Sequence, residues 1–314
     1  MDIVSLGRTG LNVSRLCYGT LTIGPLQRAM TAQQGAKLLI YAREKGILFF
    51  DTAELYGTYA HLNLLLRQYP ECVIATKCYA YDTATAEASF AKATAELGRD
   101  YVDVFLLHEQ ESEHTIRGHH EALEYFLRRK EQGLIGAVGL STHAVAAAKA
   151  ALKYPEVQVV HPMLNLRGVG IQGGTREDME AAVAALYGAG RGIYAMKALG
   201  GGHLIPERQA ALRYILSLDT VDAVAVGMQS QQEIDYNVAL FEGLAPGEEL
   251  EQAVGRTPRA LMIHDWCQGC GRCVQRCRSQ ALRLHEGRAM VDGSKCTRCG
   301  YCAAVCPDFC IKVL

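Results

Sequence analysis

The distribution of cysteine constrains the fold of this chain more than any other feature. Twelve of its 314 residues are cysteine, and nine of the twelve lie in the last 48 residues. A secreted disulfide protein spreads its cysteines through its core, whereas a tight cluster indicates bound metal. The sequence therefore divides into a long cysteine-poor part and a short metal-binding part.

The short part repeats one cysteine spacing. Each of two runs has two, two and three residues between successive cysteines. At this spacing three thiolates of a run hold one [4Fe–4S] cluster, and the fourth reaches the other cluster. A zinc module with Cys-x2-Cys pairs is the alternative, but two complete runs favour iron–sulfur. The predicted ligand sets are Cys267, Cys270, Cys273 with Cys306, and Cys296, Cys299, Cys302 with Cys277.

This region resembles a bacterial two-cluster ferredoxin, with Arg278 where that family usually has proline. Cys310 is left over and is predicted to be a small buried side chain. From Thr257 to Leu314 nine Lys or Arg residues face four Asp or Glu residues. That basic excess roughly matches the charge of about −2 on each oxidised cluster.

The preceding residues alternate short apolar runs with segments of helical periodicity. Unbroken apolar runs are typical of strands buried on both faces. Eight such runs predict an α/β fold, a (β/α)8 TIM barrel, followed by a small C-terminal α+β ferredoxin-like domain. A doubly wound sheet is the alternative, but no glycine-rich fingerprint follows a strand. The runs are Arg15–Gly19, Ile47–Phe50, Cys72–Thr76, Val102–Leu107, Ala137–Leu140, Val157–Val160, Gly192–Met196 and Ala223–Val226. The predicted domains are residues 1–243 and 260–314, joined by a linker at 244–259.

Four polar residues lie shortly after three consecutive predicted strands. Asp51 and Tyr56 come after the second run, Lys77 after the third and His108 after the fourth. In a barrel these strand ends meet at one mouth. A lysine paired with a carboxylate favours phenolate, so we expect a lowered pKa for Tyr56 and a role as general acid or base at a carbonyl oxygen. His108 is predicted to orient that carbonyl.

Composition excludes several partners. The net charge is −1, which does not favour nucleic acid. No apolar stretch reaches the roughly 18 residues of a membrane span, and the first residues lack the pattern of a signal peptide. We therefore expect a cytoplasmic enzyme with a small-molecule carbonyl or alcohol substrate.

Residues 1 to about 243 resemble the aldo-keto reductase family. The resemblance is carried by the phrases FFDTAELYG, VIATKC, DYVDVFLLH and AMKALGGG, among others. It implies Tyr56 as general acid/base, tuned by Lys77 and Asp51, with His108 as substrate orienter. It also implies a nicotinamide that passes hydride to a carbonyl. With its tail, the chain resembles the bacterial subgroup of these enzymes that ends in a two-cluster ferredoxin.

The resemblance also implies contacts to the cofactor. The loop from Asp219 to Glu242 contains no Lys, Arg or His, whereas relatives that use NADPH place a cation there for the 2′-phosphate. We therefore expect NADH to be favoured over NADPH. The candidate cofactor residues are Ser141, Thr142, Gln158, Asn165, Met196, Lys197, Gly227, Ser230 and Asn237.

The combination of a hydride site with clusters leaves three hypotheses open. Clusters pass single electrons and a hydride carries two, so coupling needs a converter such as a flavin (FMN) or a stepwise substrate. In the first hypothesis a carbonyl oxidoreductase exchanges electrons through its tail, with a possible redox partner protein. In the second the chain is an iron–sulfur electron-transfer protein without classical NADPH-dependent reductase activity. In the third the clusters only brace a tail that closes the substrate pocket.

Overall fold

The computed structural model describes residues 1–255, 260–296 and 302–313. A short antiparallel hairpin comes first, with β1 (Ile3–Ser5) paired to β2 (Asn12–Ser14). Leu6 and Val13 are fully buried and pack with side chains from the barrel interior. The hairpin therefore closes the amino end of the barrel.

Within residues 1–255, eight parallel strands close into a barrel in which each strand pairs with its neighbours in the chain. Every strand overlaps one predicted apolar run, which confirms the barrel. Strands at Val73–Cys78 and Val102–Leu107 are buried at every residue, as expected for a sheet covered on both faces. The strands are β3 (Leu16–Gly19), β4 (Phe49–Asp51), β5 (Val73–Cys78), β6 (Val102–Leu107), β7 (Ile135–Thr142), β8 (Val159–Pro162), β9 (Gly192–Met196) and β10 (Ala223–Gly227).

Helices cover the outside of the barrel, and each barrel strand is followed by at least one. The largest apolar core lies between strands and helices, and a second, smaller core fills the barrel interior. The helices are α1 (Ala32–Glu44), α2 (Tyr59–Leu66), α3 (Thr83–Leu97), α4 (Glu113–Gly118), α5 (His120–Glu131), α6 (Val145–Ala150), α7 (Arg176–Gly188), α8 (Arg208–Leu216) and α9 (Gln231–Phe241). None of the helices in the described ranges is long and apolar enough to cross a bilayer.

Capping residues explain where these helices begin and end. Thr31 forms a capping box at the start of α1. Asp82 does the same for α3, so this helix begins at Thr83. Gly98 ends α3 in a left-handed conformation with φ 73°, which favours glycine because a Cβ is strained there.

The predicted linker contains structure of its own. Helix α10 (Glu248–Gly255) packs against α9, with Val254 buried in the barrel's outer core. Residues 256–259 of the linker lie outside the described residues.

The tail is a small α+β unit, as predicted. Strand β11 (Leu261–Ile263) pairs antiparallel with β14 (Ile311–Val313), the last strand of the tail. Between them lie α11 (Arg272–Arg276) and a hairpin of β12 (Leu282–His285) and β13 (Arg288–Val291). Its apolar cluster contains six of the eight predicted ligand cysteines. Of the other two, Cys270 is exposed and Cys299 lies outside the described residues.

The tail docks on the carboxyl end of the barrel. Strand β14 lies on the glycine-rich loop after β9, where a Cβ at Gly202 would come 2.1 Å from the carbonyl oxygen of Val313. His203 Nε2 lies 3.0 Å from the carbonyl oxygen of Ile311. Phe309 packs on the barrel residues Met163 and Met196. The barrel mouth is therefore shared between both parts of the chain.

Candidate active site

Asp51 and Lys77 form a buried ion pair at the carboxyl ends of β4 and β5. Lys77 Nζ donates to both Asp51 carboxylate oxygens, at 2.7 and 2.8 Å, and to the backbone oxygen of Thr52 at 2.6 Å. The two side chains are 1% and 6% exposed. Burial raises the pKa of Asp51, and the Lys77 ammonium works against that rise. The pair is held rigidly because adjacent parallel strands supply both members.

Tyr56 and His108 complete the predicted tetrad. Tyr56 ends a single helical turn after β4, and Lys77 Nζ lies 5.0 Å from the centroid of its ring. The His108 ring, just after β6, meets the Tyr56 ring edge to face with centroids 5.9 Å apart. The structure therefore brings all four residues together at the barrel mouth.

The predicted direction of the Tyr56 pKa is wrong. Burial, together with the negative charges of Asp51 and Glu109, raises this pKa well above its ordinary value. Lys77 favours the phenolate, and this was the only effect included in the prediction. The loss of water around the phenol and the negative charge of Asp51, which is paired with Lys77, both favour the neutral phenol. Tyr56 therefore carries its proton at neutral pH.

His108 is neutral at physiological pH. Burial, assisted by the positive charges of Lys77 and Lys197, lowers its pKa well below the usual value. Its ring stacks on Tyr79 with centroids 4.5 Å apart. The Nδ1 atom of His108 is buried and has no hydrogen-bond partner within the described parts of the chain. A neutral ring can donate one hydrogen bond to a carbonyl oxygen without competing for the proton of Tyr56.

Two residues that the sequence analysis missed support Asp51. The Tyr194 hydroxyl, from β9, donates to Asp51 Oδ1 at 3.0 Å. The Tyr194 ring stacks on His161 with centroids 3.8 Å apart, and His161 Nδ1 lies 2.5 Å from the carbonyl oxygen of Tyr194. The only signal in the sequence was the hydroxyl of Tyr194 inside an otherwise apolar strand. Such a polar group must find a hydrogen-bond partner when it is buried.

A cavity of about 380 Å³ lies in front of Tyr56 and His108. This volume is within the range of about 300–1,000 Å³ that is usual for small-molecule sites. Tyr79 also lines the cavity. The tail supplies a large part of the wall, through His264, Trp266, Asp308, Phe309 and Lys312.

A narrower groove runs from Asp51 and Tyr56 towards β10 and α9. Its volume is about 160 Å³, and Lys312 and Val313 of the tail border it. Of the predicted cofactor residues, Met196, Lys197 and Gly227 line this groove. A Cβ at Gly227 would lie 2.2 Å from the Thr22 side chain, so this position leaves only backbone facing the groove.

Ser230 and Asn237 do not line the groove, but they are near Gln229 and Glu233 in the sequence, and both of those residues line it. Ser230 caps α9 by accepting from the backbone N–H of Glu233 at 3.2 Å. Asn237 is buried, and its Oδ1 has no partner among the described residues. Such an atom fits an exocyclic amine, so the residues present fit the adenosine end of a dinucleotide, although the enclosed volume does not hold a whole one.

Other predicted cofactor residues are engaged elsewhere. Ser141 Oγ accepts from the backbone N–H of Glu109 at 2.8 Å, and Thr142 Oγ1 donates to the backbone oxygen of Gln110 at 2.6 Å. Asn165 uses both ends of its amide on Val169. All three side chains are fully buried, so they shape the loops of the mouth.

Gln158 does not belong to the site. It directly precedes β8 and therefore lies at the amino end of the barrel, whereas the chemistry of the mouth lies at the carboxyl ends. The prediction placed it at the wrong end of its strand.

The first predicted cluster set surrounds one void in the tail. Cys267, Cys270, Cys273 and Cys306 all line it, together with Gly269 and Gly271. Both glycines have positive φ, which lets the backbone fold back around the void. No three described His, Cys, Asp or Glu side chains are arranged to hold a single metal ion. The structure thus brings the four cysteines of the first predicted set around one void.

Cys310 also lies at this void. Its sulfur is 3.3 Å from Cys306 Sγ, and it is 2% exposed. It is buried as predicted, but it also contacts a predicted ligand. Of the second set, Cys277 Sγ accepts from the backbone N–H of Ala281 at 3.3 Å; such bonds stabilise thiolate ligands.

Comparison with known families identifies both parts. The aldo/keto reductase family profile matches residues 15–209, more than half of the chain. The chain belongs to the aldo/keto reductase family. Members of this family are oxidoreductases that act on small molecules. A 4Fe-4S dicluster domain profile matches residues 261–307, so this aldo/keto reductase carries an iron–sulfur tail.

Individual relatives agree with this assignment. The chain is 47% identical over 57 residues to the uncharacterized oxidoreductase YrpG of Bacillus subtilis, covering 18% of this chain and 17% of YrpG. It is 28% identical over 218 residues to probable aldo-keto reductase 1 of Glycine max, covering 63% of this chain and 60% of that protein. Each match thus spans less than two thirds of the relative. A solved structure assigned to the aldo-keto reductases, from Pseudomonas aeruginosa, is 27% identical with a TM-score of 0.67, covering 77% of this chain and 95% of that one.

Proposed function

We propose that this aldo/keto reductase interconverts a carbonyl and an alcohol, with Tyr56 as general acid/base, and exchanges electrons through two [4Fe–4S] clusters in its tail. One observation carries the proposal. Tyr56 and His108 face a cavity whose wall includes Trp266, and Trp266 is covalently joined to the predicted ligand Cys267. The chemistry of the barrel and the metal site of the tail thus meet at one cavity.

In the reductive direction, His108 donates a hydrogen bond that holds the substrate oxygen near the Tyr56 hydroxyl. Tyr56 gives its proton to that oxygen as negative charge develops there, because an alkoxide is a much stronger base than a phenolate. Lys77 then stabilises the phenolate, and Asp51 keeps Lys77 charged and in place. In the oxidative direction the same groups return the proton. General acid catalysis of this kind contributes about 10²–10⁴-fold to a rate.

The groove beside Tyr56 would hold a nicotinamide cofactor through Gly227 and the backbone of Met196 and Lys197, with Asn237 at the adenosine end. A bound nicotinamide supplies or accepts hydride. The groove favours NADH, because Glu233 lines it and would repel a 2′-phosphate. Arg28 donates to Gln229 at 2.7 Å, so this cation is already engaged at the groove's edge.

A second candidate function rests on the size of that groove. About 160 Å³ is below the usual range for small-molecule sites. If the tail keeps it closed, the chain acts as an iron–sulfur electron-transfer protein, with a flavin such as FMN or a stepwise acceptor in the larger cavity. Both functions require a redox partner protein when electrons leave or enter through the tail.

Replacement of Tyr56 by Phe tests the proposal. The anaerobic holoprotein is assayed for aldehyde reduction with NADH, NADPH and dithionite-reduced methyl viologen as separate reductants. We expect the variant to lose about 10²–10⁴-fold in turnover, while Tyr81→Phe, which removes an exposed hydroxyl outside the tetrad, remains active. Unchanged turnover in Tyr56→Phe would exclude the acid/base role, and activity with viologen alone would favour the second function.

A further inference from the structure

Two lysine side chains, one from each part of the chain, meet at the cavity. Lys197 follows β9 of the barrel, and Lys312 lies in β14 of the tail. Both line the cavity of Tyr56 and also the groove beside it. Their Nζ atoms lie 4.7 and 3.2 Å from the centroid of the Phe309 ring. The two ammonium groups therefore lie against the same ring.

Neither ammonium has a carboxylate partner within the described ranges. Lys312 is 6% exposed, and its Nζ donates to the backbone oxygen of Phe309. Lys197 Nζ lies 2.9 Å from His143 Nε2. A buried ammonium without a counter-ion is unfavourable, so the buried Lys312, with the half-buried Lys197 on the same ring, indicates that an anion is supplied from outside.

Three acidic residues, Glu109, Glu111 and Asp308, also line the cavity. Glu109 accepts from the Tyr79 hydroxyl at 2.6 Å and lies 3.5 Å from His143 Nε2. Glu111 and Asp308 are exposed and so belong to the rim. The carboxylates therefore lie at the more exposed part of the cavity wall, and the charge of Glu109 works against the fall in the pKa of both lysines.

The backbone conformation of Lys197 also indicates that its position is important for function. Its φ is 59°, in the left-handed region that residues with a side chain rarely occupy. Strain of this kind persists where surrounding structure fixes a residue for function. Burial lowers the pKa of Lys197 to about 8, which leaves the ammonium charged at neutral pH. Burial, together with the positive charge of Lys197, lowers the pKa of Lys312 well below its ordinary value, so a bound anion would favour the charged form of this side chain.

We propose that Lys197 and Lys312 bind an anionic group of the substrate, so that the carbonyl compound presented to Tyr56 carries a carboxylate or a phosphate. The inference rests on the proposed function, because it assigns the substrate class of that site. One ammonium comes from the barrel and the other from the tail, so docking of the tail completes the substrate site. This gives the tail a role in binding in addition to electron transfer.

Calorimetric titration of the anaerobic holoprotein tests the anion site without turnover. The probes are succinate, inorganic phosphate and uncharged succinamide. We expect an anion to bind and succinamide not to bind, with the tighter of the two anions naming the group. Lys197→Met and Lys312→Met should each weaken anion binding about tenfold or more, since a hydrogen bond to a charged group is lost. Lys153→Met, at a side chain that is 63% exposed, should change nothing.

Several results would overturn the proposal. These are equal affinities for succinate and succinamide, unchanged anion affinity in both lysine variants, or complete loss of anion binding in saturating NADH, which would assign the lysines to the cofactor. A shift of the cluster potential in Lys312→Met with unchanged anion affinity would instead make Lys312 a counter-charge for the tail. Lys197→Met leaves the tail sequence intact, so loss of affinity there does not arise from damage to the clusters.

Turnover separates this inference from the proposed function. Succinic semialdehyde should be preferred over its uncharged methyl ester, and the lysine variants should lose that preference by a rise in KM. Tyr56→Phe should lose turnover but keep its affinity for the anion. If Tyr56→Phe stays active while the lysine variants lose anion binding, the acid/base role fails and the anion site stands.

Discussion

Replacement of Lys77 by Met should destabilise the barrel strongly. The change removes three hydrogen bonds to Asp51 and Thr52 and leaves the Asp51 side chain, 6% exposed, with the Tyr194 hydroxyl at 3.0 Å. Breaking a buried pair on one side costs about 3–5 kcal/mol, because the remaining charge is uncompensated. The loss should be smaller in Asp51→Asn/Lys77→Met, which removes both charges.

Urea unfolding followed by far-ultraviolet circular dichroism measures this loss. Burial raises the pKa of Asp51, so the folded variant takes up a proton more readily than the unfolded chain. The stability of Lys77→Met should therefore rise as the pH falls from neutral towards about 4, the pKa of an exposed aspartate. Lys92→Met, which removes a surface pair with Glu54, should cost no more than about 1 kcal/mol. A loss below about 1 kcal/mol in Lys77→Met, or no recovery in the double variant, would refute the reasoning.

Three further predictions follow from the site. Because the pKa of Tyr56 is raised, kcat/KM for reduction of an uncharged aldehyde should stay level from neutral pH to about 10, the ordinary tyrosine pKa, and a fall near pH 7 would contradict this. Gln229→Arg combined with Glu233→Gln should improve NADPH affinity relative to NADH affinity by about tenfold or more. If binding titrations give the same ratio of the two affinities in the variant and the wild type, the groove is not the cofactor site. Cys310→Ala should keep both clusters, as judged from the optical spectrum, and should lower the reduction potential of a cluster, because an S–H donor beside Cys306 is lost. An unchanged reduction potential would mean that Cys310 only fills space.

The barrel was predictable because its strands are buried on both faces. Such strands are continuous apolar runs in the sequence. The apolar runs therefore indicated where all eight strands lie, although they do not show which strands pair. The tetrad followed from topology, since parallel strands direct their carboxyl ends to one mouth. Gln158 was misassigned because a similarity of sequence does not state which end of a strand a residue occupies.

Other parts of the site depend on contacts that are distant in sequence. Tyr194 lies 143 residues from Asp51, and nothing local in an apolar strand indicates that bond. Lys312 reaches the mouth only because the tail folds back onto the loop after β9. The pKa of Tyr56 depends on how much water its neighbours exclude, which pairwise reasoning about Lys77 does not include.

Anaerobic reoxidation of the clusters tests the central claim most directly. The holoprotein is reduced with dithionite, freed of excess reductant, and mixed with carbonyl substrate, with and without nicotinamide and FMN, while cluster absorbance is followed. If barrel and tail form one redox site, substrate should reoxidise the clusters in the wild type and Tyr56→Phe should slow this by about 10²-fold or more. Clusters that stay reduced in every mixture, or that reoxidise equally fast in Tyr56→Phe, would contradict the account.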